Sequence, residues 1–210
     1  MLIDKRKFFE QYRLLMDGDQ RLEQSLVNSI DLFLNMMQER IEYFSTAQWA
    51  YVLATVFHET AATMAPVREA FRQSEEWRRL NLPYWPHYGR GYVQITHKDN
   101  YERMAAVVKR DLKIVIQHRD DFMLPKVAFF VLIYGFKYGS YTGKAIGDYI
   151  PDNTLKSERY HYESIAQGIA PSETLLYKYY QDARRCINGV NKQDAKKGIT
   201  TADRADLIAG

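Results

Sequence analysis

Cysteine is almost missing from this chain, because Cys186 is the only one in 210 residues. A single thiol cannot form an intramolecular disulfide or supply a cysteine-rich zinc site. The five histidines also lack the His-Glu-x-x-His spacing that is typical of zinc proteases. We therefore expect no metal and no cofactor, and Cys186 is predicted to be a small buried apolar residue.

Long apolar runs and a strong charge of one sign are missing as well. The longest run, from Val127 to Tyr134, is far short of the roughly 20 residues that a membrane-spanning helix needs, so it predicts a buried core helix. Charges interrupt the N-terminal segment, unlike the apolar core of a secretory signal. A net charge of +3 disfavours a strongly basic nucleic-acid binder. These absences predict a protein that is made in the cytoplasm, does not insert stably into a membrane and does not bind nucleic acid. We also expect it to be a monomer.

Linkers and internal repeats are also missing, and the length suits one domain. A domain contains about 100–200 residues, so residues 1–210 are expected to form a single domain. Aromatic residues are abundant at 14%, with 16 tyrosines, which suit a core or a groove for an amphipathic ligand such as a sugar. Helical composition or spacing predicts helices over 4–16, 20–43, 46–59, 66–80, 98–110, 123–138 and 172–187, which makes the chain mainly α.

The segment after residue 44 gives the clearest helix signal. Ser45 and Gln48 fit a capping box, and apolar residues then recur at helical spacing up to the predicted helix end at Glu59. Further along, 81–92 is rich in proline and glycine and predicts a loop. Alternation of polar and apolar residues over 92–96 predicts a short strand.

Two glutamates lie on either side of a proline. Glu59 is predicted to lie at the last turn of an apolar helix, where partial desolvation and the negative end of the helix dipole both favour the protonated acid. Glu69 follows Pro66, which ends one helix, is predicted to start the next, and allows the two carboxylates to face each other across a cleft. One protonated and one ionised carboxylate are the minimum equipment for hydrolysis of a glycosidic bond. Two solvated surface charges are the alternative.

A second pattern runs from Tyr88 to Tyr101, with the sequence YGRGYVQITHKDNY. Glycines on both sides of Arg90 allow a positive φ or a close approach of another segment. In the predicted strand, Gln94 and Thr96 share one face, so that an amide and a hydroxyl are available to a sugar and a water. A polar surface strand is the alternative for the same pattern.

Together, the segments His58–Ala61, Met64–Glu69 and Tyr88–Tyr101 resemble glycoside hydrolase family 19, which contains chitinases and phage lysins. The resemblance continues at Ile187–Gly189 and at Arg204, and so covers most of the chain. It implies a mainly α, lysozyme-like two-lobed domain with a small β-hairpin and a central substrate groove. It also implies an inverting mechanism, for which the two carboxyl groups are ~6.5–9.5 Å apart.

The resemblance implies a role for each matching residue. Glu59 matches the general acid, Glu69 matches the base that activates water, and Thr96 matches a residue that helps to hold that water. Glu75 and Glu76 remain rivals of Glu69, because related chitinases carry the second glutamate further along the chain. The predicted substrate-binding and supporting residues are Tyr88, Arg90, Gln94, Asn100, Tyr101, Asn188 and Arg204.

Peptidoglycan is the expected substrate. A chain without an export signal or a disulfide fits a phage endolysin, which is made in the host cytoplasm, reaches the cell wall through a holin and cleaves β-1,4 bonds of the glycan strand. A chitinase acting on N-acetylglucosamine polymers and a peptidoglycan-targeting toxin of interbacterial competition are the alternatives with the same chemistry. A non-catalytic glycan-binding protein is the alternative from another class. No separate cell-wall-binding module is expected.

Overall fold

A computed structural model describes residues 2–15 and 22–152, together with Ala183 and Cys186. Helices dominate these residues, so the predicted mainly α class is confirmed. The α-helices are α1 (Lys5–Leu15), α2 (Gln24–Gln38), α3 (Thr46–Glu59), α4 (Glu75–Asn81), α5 (Lys98–Leu112) and α6 (Pro125–Tyr138). Short 3-10 helices span Ile41–Tyr43, Arg119–Met123 and Ile146–Asp148. Strands β1 (Val67–Arg68) and β2 (Arg90–Gly91) form an antiparallel pair with Val67 opposite Gly91.

Helix α3 begins with the predicted capping box. The backbone N–H of Gln48 donates to Oγ of Ser45 at 3.3 Å, and the N–H of Ser45 donates to Oε1 of Gln48 at 3.0 Å. These bonds satisfy two donors that a helix start leaves without an intrahelical partner. They fix the first turn of α3, the helix that ends at Glu59.

The first of two compact units, unit 1, comprises residues 1–42 and 59–131. Its core includes Phe33 of α2, which packs edge to face against Tyr92 and against Phe129 with ring centroids 5.2 Å apart in both pairs. This geometry is favourable because the positive edge of one aromatic ring meets the negative face of the other. Every predicted catalytic residue lies in unit 1.

The second unit, unit 2, comprises residues 43–58 and 132–210. In its described core, Tyr51 of α3 packs edge to face against Phe136 of α6 with ring centroids 6.0 Å apart. Cys186 is fully buried, as predicted. Burial raises the pKa of its thiol to about 12, so the side chain remains protonated and behaves as a small apolar group.

Helix α6 contains the longest apolar run of the chain. Pro125 is its first residue, where a missing N–H costs no intrahelical bond. The buried side chains of α6 are those of Val127, Ala128, Phe129, Val131, Leu132, Ile133 and Phe136. The prediction of a buried core helix is therefore confirmed. No helix in the described part of the chain is both long and apolar enough to cross a membrane.

The predicted helix over 66–80 is wrong. Strand β1 occupies Val67–Arg68, turns follow, and α4 begins only at Glu75. Ser74 caps α4, because its Oγ accepts a hydrogen bond from a first-turn N–H at 3.1 Å. Ala70 is left-handed, with a φ of 50°, and so interrupts the segment before this cap. Composition predicted one helix here because it reveals neither the left-handed residue nor the new helix start.

The predicted strand over 92–96 is also wrong. Residues 92–94 form a turn, after which the backbone of Ile95 pairs with that of Arg90 in an isolated bridge. Gln94 adopts a left-handed φ of 54° within this turn. The turn therefore overrides the strand preference of the alternating apolar residues.

Other predicted elements differ at their ends. Helix α2 ends at Gln38, whereas the prediction extended to residue 43, and a 3-10 helix occupies Ile41–Tyr43. Of the predicted loop over 81–92, residue 81 ends α4 and residues 90–91 form β2. The predicted helix over 172–187 lies outside the described residues except for Ala183 and Cys186, which are helical and buried.

Candidate active site

Glu59 is the last residue of α3, and the chain turns sharply after it. Ala61, Ala62 and Met64 adopt left-handed conformations with φ of 49°, 63° and 53°. For a residue with a Cβ, each such conformation costs roughly 1–2 kcal/mol. Strained backbone of this kind is concentrated at functional sites, where the surrounding structure holds it. The turn therefore marks the neighbourhood of Glu59 as a candidate site.

Thr60 holds this turn together. Its Oγ1 accepts a hydrogen bond from the N–H of Met64 at 3.0 Å, and its carbonyl accepts one from Oγ1 of Thr63 at 2.8 Å. The neighbouring Glu59 is half-buried, and its Oε1 is shielded from solvent. Glu59 thus has the half-buried position at a helix end that the sequence predicts.

Glu69 follows β1 directly, and the loop between α4 and β2 fixes its carboxylate. Its Oε1 accepts a hydrogen bond from the hydroxyl of Tyr84 at 2.7 Å, and its Oε2 accepts one from the N–H of Gly89 at 2.9 Å. The N–H of Glu69 also donates to the carbonyl of Gly89 at 2.7 Å. Burial and the contact with Glu69 raise the pKa of Tyr84 to about 12, so its hydroxyl remains a donor. Because a carboxylate has about four acceptor sites, Glu69 can still accept a hydrogen bond from water.

Glu75, the first rival of Glu69, contacts the same loop. Its Oε2 accepts a hydrogen bond from the hydroxyl of Tyr88 at 2.7 Å, and its Oε1 accepts one from Nε1 of Trp85 at 3.2 Å. Burial opposes ionisation of Glu75, but these hydrogen bonds outweigh it and hold the pKa of this carboxyl below its usual value. Glu75 is therefore an ionised carboxylate at neutral pH with a fixed orientation.

Glu76, the second rival, lies on the exposed surface of α4. Its carboxylate forms an ion pair with Arg79 at 2.6 Å, and the hydrogen bond from Arg79 lowers the pKa of Glu76. Exposed pairs at this spacing are typical of a helix surface and contribute little to stability. Glu76 is accordingly the weakest of the three candidates and a suitable control for the other two.

The two glycines around Arg90 were predicted to allow a positive φ or a close approach, and Gly91 shows the first and Gly89 the second. Gly91 has a φ of 89°, which favours glycine. A Cβ at Gly89 would lie 2.6 Å from Oε1 of Gln94, so a side chain there would collide with the following turn. The two glycines therefore allow the backbone to fold tightly around Arg90.

The side chain of Arg90 is only 4% exposed and cross-links this loop through its hydrogen bonds. Its Nε donates to Oδ1 of Asp120 at 2.7 Å, and one terminal nitrogen donates to the hydroxyl of Tyr101 at 2.8 Å and to the carbonyl of Pro86 at 3.1 Å. Its guanidinium also lies 3.7 Å from the ring centroid of Tyr88. A buried charge is tolerated when it is paired and hydrogen-bonded in this way. Arg90, Tyr88 and Tyr101 thus support the shape of the loop, and a direct contact with a sugar stays a prediction.

Asp120 is a site residue that the sequence does not reveal. Its Oδ2 accepts a hydrogen bond from Arg68 at 2.9 Å, while its Oδ1 accepts the one from Arg90, so it joins residues of both strands. The hydrogen bond from Arg68, together with that from Arg90, holds the pKa of Asp120 below its usual range. Asp120 lies 52 residues from Arg68 and 30 from Arg90 along the chain, too far apart for a local pattern. Tyr84 was missed for a similar reason.

The remaining predicted residues follow β2 and are linked to one another. Nε2 of Gln94 donates to the carbonyl of Val67 at 3.0 Å and ties the turn to β1. Oγ1 of Thr96 donates to the carbonyl of Gln94 at 2.7 Å, which leaves its lone pairs available to accept from a water. Nδ2 of Asn100 donates to the carbonyl of Thr96 at 2.8 Å. The structure therefore gathers Gln94, Thr96 and Asn100 into one hydrogen-bonded series.

Two predicted residues, Asn188 and Arg204, lie outside the described part of the chain. Among residues 2–15 and 22–152, no group of three or more histidine, cysteine and acidic side chains is arranged to hold a metal ion. The candidate site contains carboxylates, which can act as general acids and bases, and hydroxyl and amide groups, which can form hydrogen bonds.

Comparison of the chain with protein-family models, with curated proteins and with solved structures finds no match. Support for a function therefore comes from the chain's own residues and their contacts.

Proposed function

We propose that this chain is a glycoside hydrolase of the endolysin type, which cleaves β-1,4 bonds of the peptidoglycan glycan strand and so lyses the host cell. The observation that carries this proposal is the carboxylate of Glu69, held on one oxygen by Tyr84 and on the other by Gly89. Glu59, a half-buried carboxylate, ends α3 just before the strained turn. Two carboxylates in different surroundings are what hydrolysis of a glycosidic bond requires.

In the proposed mechanism, Glu59 donates a proton to the glycosidic oxygen while the bond from that oxygen to the anomeric carbon breaks. Glu69 takes a proton from a water, whose oxygen attacks the anomeric carbon from the opposite face and inverts its configuration. Thr96 accepts a hydrogen bond from that water, because its own hydroxyl hydrogen is donated to the carbonyl of Gln94. A separation of ~6.5–9.5 Å between the two carboxyl groups leaves room for the water.

The other predicted residues support this chemistry in the proposal. Arg90, with Tyr88 and Tyr101, maintains the shape of the loop that holds Glu69. Contacts with sugar or support of the site are proposed for Gln94, Asn100, Asn188 and Arg204. The proposed fold is lysozyme-like and two-lobed with a central groove, and the proposed place of action is the cell wall, after release from the cytoplasm by a holin.

Turnover of purified peptidoglycan tests the catalytic assignment. Glu59→Gln and Glu69→Gln are expected to lower kcat by about 10²–10⁴-fold, because each removes one proton-transfer group. Glu76→Gln is the matched control, since it makes the same change on the exposed surface of α4 and is expected to retain activity. Equal activity of Glu59→Gln and wild type would overturn the proposal. An active Glu69→Gln beside an inactive Glu75→Gln would instead transfer the role of base to Glu75.

Analysis of the released fragments identifies the bond and the substrate. Reducing-end N-acetylmuramic acid in the mass spectrum means muramidase action, and reducing-end N-acetylglucosamine means glucosaminidase action. Cleavage of chitin oligosaccharides without cleavage of peptidoglycan would favour the chitinase alternative. NMR of the reaction is expected to show that the sugar is first released as the inverted anomer. Release of the retained anomer would contradict the role of Glu69 as a base.

A further inference from the structure

A cavity of about 270 Å³ lies in unit 1, between α5, the irregular residues 113–118 and the 3-10 helix Arg119–Met123. Glu59, Glu69 and Thr96 are not among its lining residues. The cavity is open to solvent rather than enclosed, and its volume suits a ligand the size of a dipeptide rather than a sugar polymer.

The inner part of the cavity is aromatic and aliphatic. The rings of Tyr101 and Phe122 pack edge to face with centroids 5.0 Å apart, and the ring of His87 lies 5.4 Å from that of Tyr101. Ala105 and Ile116 add half-buried aliphatic surface. A ligand with an apolar side chain or methyl groups would lose unfavourable contact with water here.

The rim carries a cation. Arg119 is exposed and, among the described residues, has no carboxylate partner. The neighbouring acids have other contacts: Glu102 pairs with Lys98 at 3.5 Å, and Asp121 accepts hydrogen bonds from the backbone N–H groups of Gln117 and His118. The guanidinium of Arg119 is therefore available to an anionic ligand.

The charges around His87 also favour an anionic ligand. Burial lowers the pKa of His87, and the nearby cations Arg119, Lys98 and Arg90 lower it further against a weaker opposing effect of Glu102. His87 is accordingly neutral at pH 7, and its ring sits in a positive local field. A carboxylate in the cavity would be stabilised by that field.

We propose that this cavity binds the carboxylate-bearing stem peptide that peptidoglycan strands carry, with Arg119 pairing a peptide carboxylate and the half-buried Ala105 and Ile116 contacting its apolar side chains. This assignment rests on the proposed function. Tyr101, which lines the cavity, directly follows Asn100, whose Nδ2 donates to the carbonyl of Thr96, so residues of the cavity and of the proposed site share α5.

Titration with a defined dipeptide tests the cavity without any need for turnover. N-acetyl-D-alanyl-D-alanine is expected to shift the NMR signals of the amides of 101–105 and 116–122, and its C-terminal amide is expected to bind at least about tenfold more weakly. Arg119→Gln is expected to weaken binding of the free acid by a similar factor, whereas Arg13→Gln, another exposed arginine, is the matched control. Equal binding of acid and amide, or no shift at all, would overturn the assignment.

Turnover then decides whether the ligand is the stem of the substrate. The comparison uses intact peptidoglycan and the same glycan from which an amidase has removed the stems. Arg119→Gln, and Ala105→Phe as a second variant that fills the cavity, are expected to lower the preference of kcat/KM for stem-bearing strands by about tenfold. An unchanged preference would overturn the assignment to the stem. If wild type cleaves neither substrate, the proposed function fails, and the titration still decides what the cavity binds.

Discussion

Helix α6 and the segment between Thr60 and His97 are stabilised in different ways. In α6, seven side chains are buried, and burial is a non-directional source of stability. In the segment from Thr60 to His97, six residues other than glycine have a positive φ. Its shape depends on hydrogen bonds, including those of Arg90 and Glu69, and hydrogen bonds are sensitive to angle and distance.

A substitution in α6 is therefore expected to change mainly the stability of the protein, and a substitution in the segment is expected to change mainly the orientation of side chains. Loss of one apolar group in α6 removes free energy of unfolding but leaves its neighbours to hold the helix in place. Loss of one contact in the segment changes the direction in which a carboxylate points, even where the cost in stability is small. Variants in the two regions should therefore differ in kind as well as in size.

The largest loss of stability is expected from α6. Phe136→Ala removes a fully buried ring that packs against Tyr51, and such truncations cost about 3–5 kcal/mol of the free energy of unfolding. Lys126→Ala changes an exposed residue of the same helix and is expected to stay within about 0.5 kcal/mol of wild type. Urea unfolding measures both. Equal losses in the two variants would contradict the role given to burial.

A smaller but more local effect is expected from Arg90. Arg90→Gln breaks a buried charge pair, and we expect a loss of about 2–3 kcal/mol, less than the roughly 3–5 kcal/mol of fully buried pairs, because Asp120 is half-exposed and keeps Arg68. Amide hydrogen exchange should rise over 84–96 more than in α6.

Arg79→Gln is the control for that variant, since Arg79 belongs to an exposed pair, and its unfolding midpoint is expected to match that of wild type. Exchange that rises evenly along the chain in Arg90→Gln would show that the loop is not a separate unit of stability.

Two exposed alanines allow a direct comparison of helical backbone with left-handed backbone. Ala106 is exposed within α5, where a change to glycine costs about 1 kcal/mol. Ala61 is exposed with a φ of 49°, so a change to glycine removes left-handed strain and offsets the greater entropy of the unfolded chain. In thermal melts, the free energy of unfolding of Ala61→Gly is expected to exceed that of Ala106→Gly by about 1 kcal/mol. The opposite ranking would contradict the strained conformation at Ala61.

The smallest effect is expected from the ionisation of Asp120. Its pKa is lowered in the folded state, chiefly by Arg68, so the stability it adds is complete above its unfolded pKa of about 4 and is lost as the pH falls through the folded value. Asp120→Asn is therefore expected to be less stable than wild type at pH 7, with a gap that closes below about pH 4. The gap is expected to be small because Asp120 is half-exposed and because Arg90 keeps its hydrogen bonds to Tyr101 and Pro86. Urea midpoints across this range measure it, and a constant gap would contradict the linkage.

The same contrast explains how far the sequence predicts the structure. The capping box of Ser45 and the apolar run of α6 are local signals, and both predictions are confirmed. The helix over 66–80 and the strand over 92–96 were wrong because single left-handed residues and a capping serine redirect the chain there. In the candidate site, the positive φ of Gly91 was predictable, since conformational freedom is a property of one residue.

The partners of the carboxylates were not predictable. Glu69 is held by Tyr84 and Gly89, and no regular spacing links these three positions. Asp120 belongs to a charged stretch without any motif, and its importance depends on the arginines that fold back onto it.

Those long connections to Asp120 also have a consequence for the order of events in folding. The hydrogen bonds of Asp120 with Arg68 and Arg90 join residues that are 52 and 30 positions apart, so forming them costs more loop-closure entropy than forming contacts between near neighbours. The capped α3 and the apolar α6 need only near neighbours for their first turns. We therefore expect the ion pairs of Asp120 with Arg68 and Arg90 to form late in folding, after the first turns of α3 and α6.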